Sequence, residues 1–159
     1  RLGCDVIDLQ ETRRSGHSAF GQADYLGYSS GECGGENSGK KEQGGVGLTV
    51  KTSITRAACP PEFISDRLLR VTFELRGRAK ALMFFVAYVP TETQNASNKH
   101  AFRTSLNKAV EAVPKHEQLF VLMDANARTG SRKGQVESKD SKYLGACGRD
   151  TLDDNGELL

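Results

Sequence analysis

Leu119-Phe120-Val121-Leu122-Met123 runs directly into Asp124-Ala125-Asn126-Ala127-Arg128-Thr129-Gly130. Five apolar residues in a row lack the alternation of a half-wet strand and read as a strand covered on both faces. The run delivers a carboxylate and a carboxamide at its C-terminal end. Just upstream the period changes. Phe102, Leu106, Ala109, Val110 and Val113 fall at helical spacing, Ser97 can cap the start, and Pro114 ends the segment. Ala79 to Val89 is a nearly continuous apolar strand stopped by Pro90. Before it, Leu69, Val71, Phe73 and Leu75 alternate with Arg70, Thr72 and Glu74, and Gly77 sits in the turn that follows. These two segments predict a hairpin with one wet face on its first strand.

Further out the signal thins. Asp5 to Gln10, Tyr25 to Tyr28 and Val46 to Val50 read as short strands. Residues 31–47 hold seven glycines among polar residues and read as a loop or insertion. Residues 130–141 are loop-like, Asp153-Asp154-Asn155-Gly156 reads as a turn or helix entry, and Glu157-Leu158-Leu159 as a first helical turn. There is no internal repeat and no domain boundary. Strands dominate the first half and a helix separates later strands, which predicts an α/β sandwich in a single domain.

Composition sets the outer limits. The 159 residues are 37% apolar and 26% charged, enough to build a core. A net charge of +2 neither demands nor excludes a nucleic-acid partner; a local basic patch has to supply that attraction. Cysteines 4, 33, 59 and 147 have neither zinc-site spacing nor a neighbouring histidine pair, and read as free thiols in a reducing compartment. No apolar run reaches membrane-spanning length and no signal peptide is visible. An intracellular protein, nuclear or cytoplasmic, is expected, in which the Asn95-Ala96-Ser97 sequon carries no meaning. The opening Arg1-Leu2-Gly3-Cys4-Asp5 lies inside what reads as a structured element, which points to a fragment.

Three apolar strands end in polar groups: Gln10-Glu11, Tyr88, and Asp124-x-Asn126. Any one of these alone reads first as a solvated strand end. Together they suit a site on a rigid scaffold. Oxygen donors without His or Cys partners favour a hard ion, Mg²⁺ or Mn²⁺.

The ordered set resembles the endonuclease/exonuclease/phosphatase superfamily. Asp5-Val6-Ile7-Asp8-Leu9-Gln10-Glu11-Thr12-Arg13 resembles its first metal-ligand motif. Val86-Ala87-Tyr88-Val89-Pro90 resembles the Tyr-x-Pro motif of its abasic-endonuclease branch, and Leu119 to Gly130 its Gly-Asp-Phe-Asn-Ala motif. Gly45-Val46-Gly47-Leu48 and Ser65-Asp66-Arg67-Leu68 fall where the family has them. Gln-Glu-Thr-Arg, Asp-x-Asn-Ala-Arg-Thr-Gly and Asp-Asn-Gly-Glu-Leu-Leu are similar to the endonuclease of non-LTR retrotransposons and to craniofacial development protein 2-like proteins.

The resemblance implies a four-layer α/β (α+β) sandwich of two mixed β-sheets flanked by helices, incomplete over 1–159. It implies a Mg²⁺-dependent (or Mn²⁺-dependent) hydrolase that nicks DNA and leaves a 3′-hydroxyl, with no membrane and no obligate protein partner. Glu11 is then the metal ligand, Asp124 orients or deprotonates the attacking water, Asn126 binds the scissile phosphate, and Tyr88 supports the phosphate or leaving group. Arg13 and Arg67 are candidates for backbone contacts. Thr91 stands where some relatives have a phosphate-binding Asn. Met123 and Ala125 replace the family's Gly and Phe.

The family's first strand, with its Asn, and its Ser-Asp-His motif are not in the chain. Little activity is therefore expected of the 159 residues alone. His17, His100 and His116 lie in no such motif and read as surface residues. The rival readings are a phosphodiesterase of the same fold with a non-DNA substrate, and a degenerate relic without catalysis.

Overall fold

The computed structural model describes residues 3–31, 44–128 and 155. The first sheet joins β1 (Val6–Gln10), β2 (Ser18–Gln22), β3 (Tyr25–Ser30) and β4 (Val46–Lys51) in the order β1-β4-β3-β2. The second joins β5 (Glu62–Ser65), β6 (Leu68–Phe73), β7 (Leu82–Tyr88) and β8 (Gln118–Asp124) in sequence order. One helix, α1 (Ala96–Glu111), connects β7 to β8. The expected α/β architecture with two sheets is borne out. Mixed pairing is confined to the second sheet, where β7 and β8 run parallel; every pair of the first sheet is antiparallel. The parallel pair is joined by the long crossover that such pairing needs, and α1 lies in it.

The two faces of the β6–β7 hairpin explain the layering. Leu69, Val71, Phe73, Val86 and Tyr88 pack against Val46, Leu48 and Val50 of β4, forming the core between the sheets. Leu68, Phe85 and Ala87 point the other way and meet Phe102, Leu106, Ala109 and Val110 of α1. β7 turns apolar side chains to both layers, while Arg70 and Thr72 leave the second face of β6 half-exposed, as the alternation predicts. The described residues therefore form three layers: first sheet, second sheet, helix. Ser30 on β3 crosses the sandwich, donating to the Ser65 carbonyl at 2.5 Å.

Several local expectations change. Asn95, not Ser97, caps α1, its side chain accepting from the Asn98 amide at 2.8 Å; Ser97 already lies within the first turn. The run at 119–123 is a strand but is not covered on both faces, since Phe120 is 44% and Met123 38% exposed. Among the described residues β8 is an edge strand, and an apolar sequence does not reveal whether a neighbour lies beside it. Strands β2 and β5, and a 3₁₀ turn at Thr55–Ala57, lack a sequence signal. Ser18-Ala19-Phe20-Gly21-Gln22 is short and carries Gly21, and it becomes a strand because β3 pairs with it in full register. His17, His100 and His116 are exposed, as expected. Cys4 and Cys59 are free thiols, while Cys33 and Cys147 lie outside the described residues. So do most of the glycine-rich stretch, residues 130–141 and Glu157-Leu158-Leu159; only Asn155 of its tetrapeptide is described, and it is in a turn.

Candidate active site

The C-terminal ends of β1, β7 and β8 meet at one end of the sandwich. β1 belongs to the first sheet and the other two to the second, so the site straddles the gap between them. Tyr88 is the bridge. Its ring is the last side chain of the inter-sheet core, 5% exposed, and its hydroxyl donates to Glu11 Oε1 at 2.7 Å.

Glu11 reaches that position through an unusual backbone. Its φ is +50° and that of Arg13 +49°, in the left-handed region that L-residues rarely occupy. The segment is held by two hydrogen bonds, from the Thr12 amide to the Gly45 carbonyl (3.1 Å) and from the Arg13 amide to the Gly44 carbonyl (3.0 Å). Gly45 has to be glycine here: its φ is +89° and a Cβ would collide with Thr12 Oγ1. Strain of this kind costs about 1–3 kcal/mol per residue and persists only where its surroundings impose it. No sequence pattern announces it at a glutamate.

The electrostatics follow from these contacts. The hydrogen bond from Tyr88 holds the Glu11 carboxyl below the ordinary carboxylate range, against some desolvation, with Arg13 adding to the effect. The Arg13 guanidinium stands 3.4 Å from Glu11 Oε2 and is largely exposed. Burial, and then the bond to Glu11, push the Tyr88 phenol up, so it stays protonated and donates at neutral pH. The Arg67 guanidinium lies over the Tyr88 ring, 5.0 Å from its centroid, and the Arg67 carbonyl accepts from the Tyr88 amide at 3.0 Å. Arg67 Nη1 is buried without a hydrogen-bond partner, as are Gln10 Oε1 and Thr12 Oγ1 beside Glu11. The Arg67 Nε stands 3.5 Å from Asp66 Oδ2, so part of its charge is already paired.

On the β8 side, Asp124 Oδ1 accepts from the Asn126 amide at 3.0 Å, forming the local turn that its side chain favours. Asn126 sits at φ +45°. Its Nδ2 donates to the Val89 carbonyl at 2.7 Å, and its side chain lies close enough to the Tyr88 hydroxyl to oppose the rise of that phenol's pKa. Asn155 is 4% exposed and donates from Nδ2 to the carbonyls of Pro90 (3.0 Å) and Asn126 (2.9 Å). An open cleft of about 440 Å³ adjoins Asn126, lined by Thr91, Glu92, Ala127 and Arg128.

Every residue singled out in the sequence therefore lies at this end. Glu11, Tyr88, Asn126 and Arg67 are linked by contact, Asp124 through Asn126, Arg13 through Glu11, and Thr91 across the cleft. Asn155 and the Gly44–Gly45 support were not expected as site features. Their signal is tertiary, apart from the Gly45-Val46-Gly47-Leu48 motif.

Among the described residues no three His, Cys, Asp or Glu side chains gather closely enough to enclose a metal. Mg²⁺ does not require such a cage, since it is held by one or two carboxylates, water and phosphate oxygens. Glu11 suits one of those positions: a hard oxygen donor, kept ionised, with its side chain half exposed at the mouth of the site.

No protein-family profile matches the chain. Over 133 residues it is 26% identical to craniofacial development protein 2 of Bos taurus and 24% identical to that of Tragulus javanicus. The aligned part is 84% of this chain in both cases. The similarity to craniofacial development protein 2 is weak but runs through most of the chain. The chain spans about a fifth of the length of these curated relatives, 21% and 22% respectively. No helix among the described residues is long and apolar enough to cross a membrane.

Proposed function

We propose that the chain carries the central strand ends of a Mg²⁺-dependent phosphodiesterase that hydrolyses DNA. The observation that supports this most is the convergence of Glu11, Tyr88 and Asn126 from two sheets at one end of the sandwich, where Tyr88 donates to Glu11 and Asp124 accepts from the Asn126 amide. A merely solvated strand end has little reason to impose left-handed backbone on a glutamate such as Glu11.

In this reading Glu11 holds the cation. When bound, Mg²⁺ or Mn²⁺ neutralises phosphate oxygens and stabilises the leaving oxygen. The chain's own groups do the rest. Tyr88 fixes the Glu11 carboxylate and keeps its own proton. Asn126 presents its carboxamide toward a phosphate oxygen. Asp124, next to it, orients a water molecule and accepts its proton as the water attacks phosphorus. The P–O3′ bond breaks, the deoxyribose oxygen leaves as an alkoxide, and solvent water protonates it to the 3′-hydroxyl while Asp124 returns its proton to solvent. The exposed Arg13 supplies positive charge to the DNA backbone, and Arg67, partly buried beside Tyr88 and paired with Asp66, adds to the local field. Thr91 lines the adjacent cleft with a hydroxyl.

The test is nicking of supercoiled plasmid by the full-length gene product with Mg²⁺, against Glu11→Gln and Asp124→Asn. A loss of at least about 100-fold in each is expected, the scale of removing one acid–base group. Activity unchanged in Glu11→Gln overturns the reading. A parallel arm with phospholipid headgroup and inositol phosphate substrates decides the substrate class.

A further inference from the structure

Asn155 stands 29 residues beyond Asn126, yet its side chain reaches the centre of the site. A carboxamide nitrogen carries two protons. Both of those on Asn155 are used, one on the Pro90 carbonyl just past β7 and one on the Asn126 carbonyl just past β8. These two carbonyls belong to the loops that follow parallel neighbours, where the ladder between the strands has ended. Beyond the ladder the loops are joined by side chains instead: Asn126 Nδ2 to the Val89 carbonyl at 2.7 Å, and Asn155 Nδ2 to the Pro90 and Asn126 carbonyls.

The geometry bears on Asn126 in particular. Its left-handed backbone turns its carbonyl toward Asn155 and its side chain toward Val89 and the Tyr88 hydroxyl. Without a donor at 155 the Asn126 carbonyl loses this partner, and the nearby right-handed conformation becomes accessible. The side chain would then leave Tyr88.

We infer that Asn155 is a positioning residue, whose carboxamide clamps the loops after β7 and β8 and so holds Asn126 in the conformation that serves the site. The inference rests on the reading of Glu11, Tyr88 and Asn126 as one site. It does not require Asn155 to touch substrate. Two donors from one short side chain are needed, so Asp, of the same shape, cannot replace it: a carboxylate there would face two carbonyl oxygens.

The test uses amide hydrogen exchange by NMR on the full chain, in Asn155→Ala and Asn155→Asp, with folding followed by far-UV circular dichroism. The Val89 amide, bonded to the Asp124 carbonyl, and the Asn126 amide and carboxamide are expected to exchange about tenfold faster, the order set by losing about one hydrogen bond. Leu48 and Thr49 in the first sheet are expected to be unchanged. A purely stabilising side chain would instead speed exchange uniformly through global opening.

Uniform acceleration, or none at Val89 and Asn126, overturns the inference. If Asn155→Ala does not fold, Asn155→Asp and Asn155→Gln carry the measurement, with Gln restoring partial protection because it keeps both protons. In the full-length gene product with Mg²⁺, Asn155→Ala is expected to lower kcat about tenfold at unchanged KM. A folded, nicking-inactive wild type would remove the functional reading and leave the exchange result standing, whereas wild-type nicking with unaltered exchange in the variants removes the clamp alone.

Discussion

Glu11 and Tyr88 face each other across the sandwich and are held in opposite ways. Tyr88 ends a strand buried on both faces, its ring packed in the inter-sheet core and covered by a guanidinium. Glu11 lies past the end of a strand whose residues are mostly half-exposed, on left-handed backbone tied down by two amide bonds to glycine carbonyls. One group is placed by hydrophobic packing and the other by backbone hydrogen bonding. A single hydrogen bond of 2.7 Å joins them. The two sheets therefore contribute to the site through separable supports, and each support can be removed on its own.

The largest expected effect is on the packed side. Phe85 is fully buried between the second sheet and α1. Phe85→Ala should destabilise the fold by about 3–5 kcal/mol, the usual cost of emptying an aromatic core position. Urea unfolding measures it, and a loss below about 1 kcal/mol would show that α1 contributes little to holding β7. Next comes the hydrogen-bonded side. Gly45→Ala puts a Cβ against Thr12 Oγ1 at a φ of +89°, at about 1–3 kcal/mol. It should displace Glu11 while leaving the Val89 and Asn126 resonances in place. If those shift as well, the two supports are not independent.

Tyr88→Phe cuts the link itself. A modest loss of stability, smaller than in the two variants above, should go with the hydrogen bond. The clearer readout is the titration of Glu11 by ¹³C NMR. Because Tyr88 holds the folded-state value low, whatever this contact contributes is present above the unfolded value and is lost as pH falls through the folded one. In Tyr88→Phe the carboxyl should protonate at higher pH, and an unmoved titration would mean that Tyr88 does not govern Glu11. The smallest effect belongs to the exposed edge. Phe120→Ser on β8 should change stability by no more than about 0.5–1 kcal/mol, through its stacking on Phe84 at 5.0 Å between centroids.

Much of this was readable in advance. The hairpin β6–β7 has its alternation on one strand and its unbroken apolar run on the other; the apolar faces pack, and Arg70 and Thr72 of β6, with Glu74 just past it, keep the expected wet face. The helix period from Phe102 to Val113 is equally plain, although its cap lies two residues earlier than Ser97. The resemblance named Glu11, Tyr88, Asp124 and Asn126 together, and all four lie at one end of the fold. Hidden from the sequence were β2 and β5, whose partners rather than their composition make them strands, and the exposure of β8.

By itself the chain determined which segments are apolar, where they stop, and which polar residues stand at the stops, because side-chain burial and backbone propensity act over a few neighbouring residues. Tertiary structure alone decided which strand ends meet. Glu11 pairs with Tyr88 across 77 positions and Asn155 with Pro90 across 65. Those contacts, with the left-handed turns at Glu11 and Asn126, exist because two sheets bury a common core and bring their ends to the same place. Local preference helps only at Asn126, a residue type at ease in left-handed backbone; it selects none of the long-range pairings.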